Sequence, residues 1–255
     1  MNGNSHTVKP GSVAPLKNVA SCLALVDALI HRPAHLPSIG VFSGFSGYGK
    51  TMAAQYCWNR TGALFIEVFD FWTRKKFCQA ILAELGVARP RGTIGDMMDE
   101  AIARLGDDPA RPVIIDEADK LVDKGMIELV RDLNKAAQVP VLLVGEELLP
   151  QKLEAYERVH NRVLDWVLAQ PCDLDDTRAL ARFLYPKLSI SDELLDDIRE
   201  QTHGKARRIA TTLNAAAAFA SNSGLQTLDL GNYQGRIFTG ETPKRFQRAS
   251  LRGAA

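Results

Sequence analysis

The 255-residue chain holds only four cysteines, Cys22, Cys57, Cys78 and Cys172, and no two of them form a CxxC pair. Each sits in or beside an apolar segment, so a disulfide framework or a zinc site is not expected, and reduced, buried thiols are. No apolar run approaches the roughly 20 residues that span a bilayer, and the first 17 residues lack an apolar signal core. A cytoplasmic protein is expected. Charge of one sign is also lacking: the formal net charge is +1, so any nucleic-acid surface must come from local clustering. The guanine-reading NKxD signal is absent, because no Asp stands two places after Asn134-Lys135, and that favours ATP over GTP.

What is present is a strand-and-helix alternation. Short apolar runs at Ile39–Ser43, Ala63–Phe69, Val113–Ile115, Val141–Val144 and Val163–Val167 are separated by stretches of helical period. Apolar strands without polar alternation, joined by helices, predict an α/β fold with a five-stranded parallel sheet flanked by helices. After Pro171 the pattern becomes helical over Asp173–Leu184, Ser191–Thr202 and Lys205–Ala220. Asp175 and Ser191 are expected as N-caps there. The expected division is a flexible arm at 1–17, a nucleotide-binding α/β domain at 18–171, a small all-helical lid at 172–225 and a tail at 226–255. From Asn232 onward the tail has five Lys/Arg against one acid.

The segment Gly44-Phe-Ser-Gly47-Tyr48-Gly49-Lys50-Thr51 fits GxxxxGK[ST], with an apolar strand before it and a helical pattern after it. The glycines let backbone N–H groups turn inward around phosphate oxygens, and the helix N-terminus adds partial positive charge. Lys50 would pair with the β and γ phosphates of ATP, and the Thr51 hydroxyl would bind Mg²⁺. Downstream, the strand Val113-Ile-Ile ends in Asp116-Glu117. Asp116 would hold Mg²⁺ through water, and Glu117 would orient and polarise the attacking water. The string Asp116-Glu117-Ala118-Asp119 spells DEAD, but a helicase of that kind needs a second sheet domain, which the helical stretch after Pro171 does not offer.

The order of these motifs, followed by a helical lid, resembles AAA+ ATPases, and more narrowly the transposition ATPases that include the phage Mu B target-DNA activator. The resemblance covers about residues 18 to 225. It implies ATP-dependent helical oligomers on double-stranded DNA, bound without strong sequence preference, that recruit and stimulate a transposase in a bacterial host. It implies a first sensor at the end of the fourth strand, where Glu146 stands in place of the usual Thr, Ser or Asn, a departure that points to slow hydrolysis. It implies an arginine finger before the fifth strand, at Arg158 or Arg162, acting on a neighbour's nucleotide. In Gly204-Lys-Ala-Arg207-Arg208 it implies a second sensor, Arg207, with Arg208 as the alternative. DNA contacts are expected after the second strand, at Trp72, Thr73, Arg74, Lys75 and Lys76, with Lys120 and Lys124 as further cations. A replication initiator or helicase loader of the same fold is the nearest alternative. A P-loop kinase or a non-hydrolysing ATP-binding scaffold is the alternative from another class.

Overall fold

The structure is a computed structural model, and it describes residues 13–242. The first twelve residues of the expected arm, and the tail from 243 with Lys244, Arg245, Arg248 and Arg252, lie outside the described residues.

The sheet domain runs α1 (Lys17–Ile30), β1 (Ile39–Ser43), α2 (Lys50–Thr61), β2 (Leu64–Glu67), α3 (Arg74–Glu84), α4 (Ile94–Gly106), β3 (Val113–Asp116), α5 (Asp119–Asp123), α6 (Ile127–Ala137), β4 (Val141–Gly145), α7 (Leu149–Glu154), α8 (Glu157–His160) and β5 (Val163–Leu168). The five strands pair in the order β2-β3-β4-β1-β5, and every pairing is parallel. Every residue of β1, β3 and β4 is buried. That is why these strands read as unbroken apolar runs: helices cover both faces, and no position is left for a solvated side chain.

The alternate residues of each strand feed two cores. Ile39, Val41, Ile115 and Leu143 pack with Phe77, Ile81 and Met97 on one face. Phe42, Ile114, Leu142 and Val144 pack on the other with α1, α2 and residues after Pro171 such as Leu195, Ile198 and Ile209. The second core therefore joins sheet and lid in one apolar body.

The lid comprises α9 (Leu174–Leu184), β6 (Ser189–Ile190), α10 (Asp192–Gln201), α11 (Ala206–Ser223) and β7 (Thr227–Leu228). It is not all-helical: β6 and β7 pair in parallel, and runs of two residues leave no periodic signal in a sequence. Asp173, not Asp175, caps α9. Asp173 accepts from the Asp176 N–H, and the Asp176 side chain accepts from the Asp173 N–H, a reciprocal capping box. Asp175 instead pairs with Arg178 at 2.6 Å. The end of the expected arm is also built in, since Ala14 and Leu16 are buried in the second core. The described part of the tail lies along α11, where the Phe238 N–H donates to Thr212 Oγ1 at 3.0 Å.

Candidate nucleotide site

In a parallel sheet all strand C-termini point one way, and the crevice beyond them is where ligands bind. Here β4 lies between the strand that feeds the phosphate loop and the strand that ends in Asp116. The crevice is a cavity of about 570 Å³. Around it stand Gly47, Tyr48, Gly49, Lys50 and Thr51 from the loop, Asp116 at the end of β3 with Glu117 after it, Glu146 just past β4, and Arg207 from the lid. One cleft thus holds residues taken from four separate parts of the chain.

The loop needs its glycines. Gly47 and Gly49 have φ of 91° and 84°, the left-handed region where a Cβ is strained. Gly49 is the N-cap of α2 and has no capping side chain, and α11 likewise starts at Lys205 without one. The N-terminus of α2, with its first N–H groups uncapped by any side chain, faces the cleft as a site for anions, and the start of α11 lies beside it. Arg207 N–H donates to Gly47 O at 3.3 Å, tying the lid directly to the loop. Arg208 turns away, and its guanidinium packs against Gly240. Of the two arginines, Arg207 is the one that lines the cleft.

The charges in the cleft are held at a disadvantage. The Lys50 ammonium folds back onto its own loop, donating to Gly44 O at 2.5 Å and Phe45 O at 3.0 Å. Burial pushes it below its usual range, against the pull of Asp116, Glu146, Glu117 and Glu147. Asp116 is 3% exposed. Burial lifts its carboxyl above the usual range; the Thr51 hydroxyl and the Glu117 N–H counter the shift, while Glu117 and Glu67 add to it. Asp116 Oδ1 accepts from the Glu117 N–H at 2.9 Å, but Oδ2 is buried without a hydrogen-bond partner among the described residues. Thr51 faces the same carboxyl without closing a well-aligned hydrogen bond to it. Cation and carboxylate each pay a desolvation penalty that their mutual attraction does not cancel.

That orphaned oxygen is the test of whether Mg²⁺ fits. A hard dication that keeps most of its waters needs one or two protein oxygens plus substrate phosphates. Asp116 Oδ2 and the Thr51 hydroxyl meet that need, so these two residues fit Mg²⁺, which when bound would draw charge from the phosphates.

Glu117 has φ of 58°, a left-handed backbone in a residue with a Cβ, and such strain gathers at functional sites. Its side chain is half-exposed and pairs with Lys120 Nζ at 3.2 Å. Glu146 sits at the mouth of the cleft, exposed. Its backbone N–H donates to buried Asp119 Oδ2 at 2.6 Å, so Asp119, the last letter of the DEAD string, fixes the end of β4. A Cβ on Gly145 would fall 2.2 Å from that same oxygen. Neither Asp119 nor Gly145 was expected to matter.

One further residue went unnoticed. Asn18, buried in α1, donates to Tyr48 O at 2.9 Å and to Gln170 O at 2.7 Å, and accepts from Gln170 N–H at 2.9 Å. A polar residue on an apolar helix face was the available signal.

Arg158 and Arg162 lie elsewhere. They line a second cavity of about 480 Å³ with Arg131, His35 and Asn134, at the other end of the sheet, before β1 and β5 begin. They cannot reach this chain's own phosphate loop from there.

The segment after β2 divides its residues. Trp72 is buried, 8% exposed, and packs on Phe69 with ring centres 5.7 Å apart. It anchors the segment and is not on the surface. Thr73 caps α3 by accepting from the Lys76 N–H. Arg74 donates to Gly125 O at 3.1 Å. Lys75 and Lys76 are exposed. The aromatic that stands in solvent is Phe71, 76% exposed and stacked on Phe69.

A phosphate-cradling loop, a terminal acid pair on an adjacent buried strand and a lid arginine over the cleft define a P-loop nucleoside triphosphatase. Residues 34–153 match the family described as an AAA domain: the chain carries an AAA-type P-loop ATPase domain. No curated protein sequence matches it. The fold is similar to the ORC2 protein of Aeropyrum pernix, solved in ADPNP-ADP complexes, at a TM-score of 0.67 and 15% identity, over 88% of this chain and 68% of that one. It is similar to ORC1 of the same organism in complex with DNA, at 0.61 and 17%, over 87% and 65%. The RuvB Holliday junction branch migration motor of Thermotoga maritima gives 0.58 and 17%, over 92% and 70%. The chain spans about two thirds of the length of these structures. Among the described residues no helix is long and apolar enough to cross a membrane.

Proposed function

We propose that the chain is an ATP-switched DNA-binding ATPase whose copies assemble on duplex DNA. In this reading ATP enters the cleft with its phosphates on the loop. Lys50 leaves its carbonyl partners for the β and γ phosphates. Glu117 orients the water, and Arg207 carries the state of the γ-phosphate to the lid. Arg158 or Arg162, at the far end of the sheet, reaches a neighbouring copy's nucleotide, so that the site is completed by assembly. DNA lies on the segment after β2, with Lys75 and Lys76 meeting phosphates and Phe71 meeting the bases or sugars. The observation that carries the reading is this pairing of an ATP cleft with an exposed phenylalanine-and-lysine edge one strand away.

The purpose of the assembly has two readings. Sequence resemblance favours a target selector that recruits and stimulates a transposase. Likeness to the ORC folds favours a replication initiator or helicase loader. Electron microscopy with a slowly hydrolysed ATP analogue and duplex DNA tests the shared part: ATP-dependent oligomers on DNA are expected, and a monomer under every condition refutes it. Binding assays against a DDE-type transposase and a replicative helicase then separate the two.

A further inference from the structure

The two ends of the sheet carry unpaired charge of opposite sign. At the strand C-termini, Glu146 and Glu147 follow β4 beside the phosphate loop, and the Lys50 ammonium feels both carboxylates. Glu146 is exposed and Glu147 half-exposed. Among the described residues neither forms an ion pair. Lys152, whose ammonium feels Glu146, is taken by Asp123 at 2.8 Å and by Asp119 at 3.7 Å. A triphosphate on the loop sets further negative charge beside the two glutamates, and like charges at close range repel. The acid pair calls for a cation that the described residues do not supply.

At the opposite end, the cavity of about 480 Å³ is lined by three arginines. Arg131 is already paired, with Glu128 at 2.7 Å and Asp132 at 3.1 Å. Arg158 and Arg162 make no side-chain hydrogen bond and no ion pair among the described residues, which leaves the N–H donors of both guanidinium groups open. Each end also carries an exposed leucine, Leu148 after the acids and Leu36 beside the arginines. Arginine joined to apolar side chains is the composition of interface centres. The ends are held apart by β1 and β5, of five and six residues, or roughly 17–20 Å. One copy's arginines therefore cannot meet its own acids. A head-to-tail contact between two copies brings the two ends together and leaves the outer ends open for the next copy.

Such a contact offers two arginines to a cleft with one γ-phosphate. They are four positions apart and line one cavity, so seating one guanidinium on phosphate carries the other to the mouth of the cleft. We propose that the second arginine binds Glu146 and Glu147 of the neighbouring copy, so that the acid pair is a socket for a second copy of this chain. Glu146, standing where a neutral sensor is usual, is then a subunit contact. One arginine reads the nucleotide and the other holds the copies in register. This rests on the reading that copies complete one another's ATP sites.

The test is sedimentation velocity with a slowly hydrolysed ATP analogue and duplex DNA, with binding of a fluorescent ATP analogue measured on every variant to establish that it is folded. Glu146→Arg with Glu147→Arg is expected to raise the protein concentration for half-assembly at least about tenfold, the lower end for close charge pairs across an interface. Glu146→Gln with Glu147→Gln, which keeps the shape, should shift it the same way by less. Arg158→Glu and Arg162→Glu should each weaken assembly. Placed in one chain with Glu146→Arg and Glu147→Arg, one of these two reversals should recover most of the loss, because its charges have been exchanged. The other should not, because its partner is phosphate. Rescue of neither or of both overturns the proposal, as do acid variants that assemble as readily as the unaltered chain. An unaltered chain that never assembles, or arginine reversals that leave assembly untouched, removes the shared-site reading and the socket with it, and the arginine variants alone tell that case from failure of the socket.

Discussion

Replacing Asp116 by Asn should make the nucleotide-free protein more stable while disabling it. Asp116 Oδ2 is buried with no partner among the described residues, and burial dominates the upward shift of its carboxyl. A buried polar group left unsatisfied costs about 1–3 kcal/mol, more when charged. Against that stands the attraction of Asp116 for Lys50, which the variant lacks, so a net gain of about 1–2 kcal/mol is expected. Asn keeps an acceptor oxygen for the Glu117 N–H. In a domain of this size the gain corresponds to a rise in Tm of about 2–8 °C. The pH dependence carries the diagnosis. The folded-state value of Asp116 lies above its unfolded value, so the penalty is absent below the ordinary carboxylate range, grows as pH rises past it, and is complete once pH has risen through the folded value. The advantage of Asp116→Asn should therefore be larger at neutral pH and vanish near pH ~4. Addition of Mg²⁺ and ATP should reverse the ranking, because ligand at a hundred times its Kd stabilises the unaltered chain by about 2.7 kcal/mol and the variant by much less. Calorimetry in the four conditions measures all of this. A nucleotide-free variant that melts at or below the unaltered chain at pH ~7 would refute the account of a destabilised carboxylate.

Lys75→Ala with Lys76→Ala should flatten the salt dependence of DNA binding, lowering the slope of log K against log salt by about 1.8, or about 0.9 for each phosphate no longer neutralised. Anisotropy titrations across a salt series measure it. Mixing a Lys50→Ala chain, which cannot hold nucleotide, with an Arg158→Ala or Arg162→Ala chain, which lacks a finger, should restore part of the ATPase activity for the true finger position only. Phosphate release from the mixtures reads this out, and no recovery with either variant counts against a shared site. Thr73→Ala should lower stability by about 1 kcal/mol through loss of the α3 cap, measured by denaturant unfolding, with the DNA salt slope unchanged if its hydroxyl is not a phosphate donor.

Much of the site was legible because it is local. Glycines at fixed offsets, a helix start at Lys50 and a strand that ends in Asp116-Glu117 are all written within a few residues of one another. What was hidden depends on pairing across the chain. Nothing near Val141 says that β4 inserts between β1 and β3, and so nothing says that Gly145 and Asp119 close against each other there. Trp72 was misplaced for a related reason. A tryptophan beside three cations reads as surface, but its burial is decided by Phe69 and the core beneath it, while Phe71, which its apolar character assigns to the interior, is the ring left in solvent. Asn18 fell on an apolar helix face, where periodicity averages a single polar residue away.

That buried amide joins two distant parts of the chain. By exchanging two hydrogen bonds with the backbone of Gln170 and holding Tyr48 O with the same nitrogen, Asn18 fastens the end of the linker and the phosphate loop to one helix. Neither can shift without the other. Any change of angle between lid and sheet must then be taken up past Gln170, at Pro171 and Cys172. There Gly204 packs so closely that a Cβ would meet Pro171 Cβ at 2.7 Å, and the Cys172 N–H donates to Gly204 O at 2.9 Å. A lid that turned against the sheet would pivot there, on a seat that Asn18 fastens to the phosphate loop, so that loop and pivot would move as one piece.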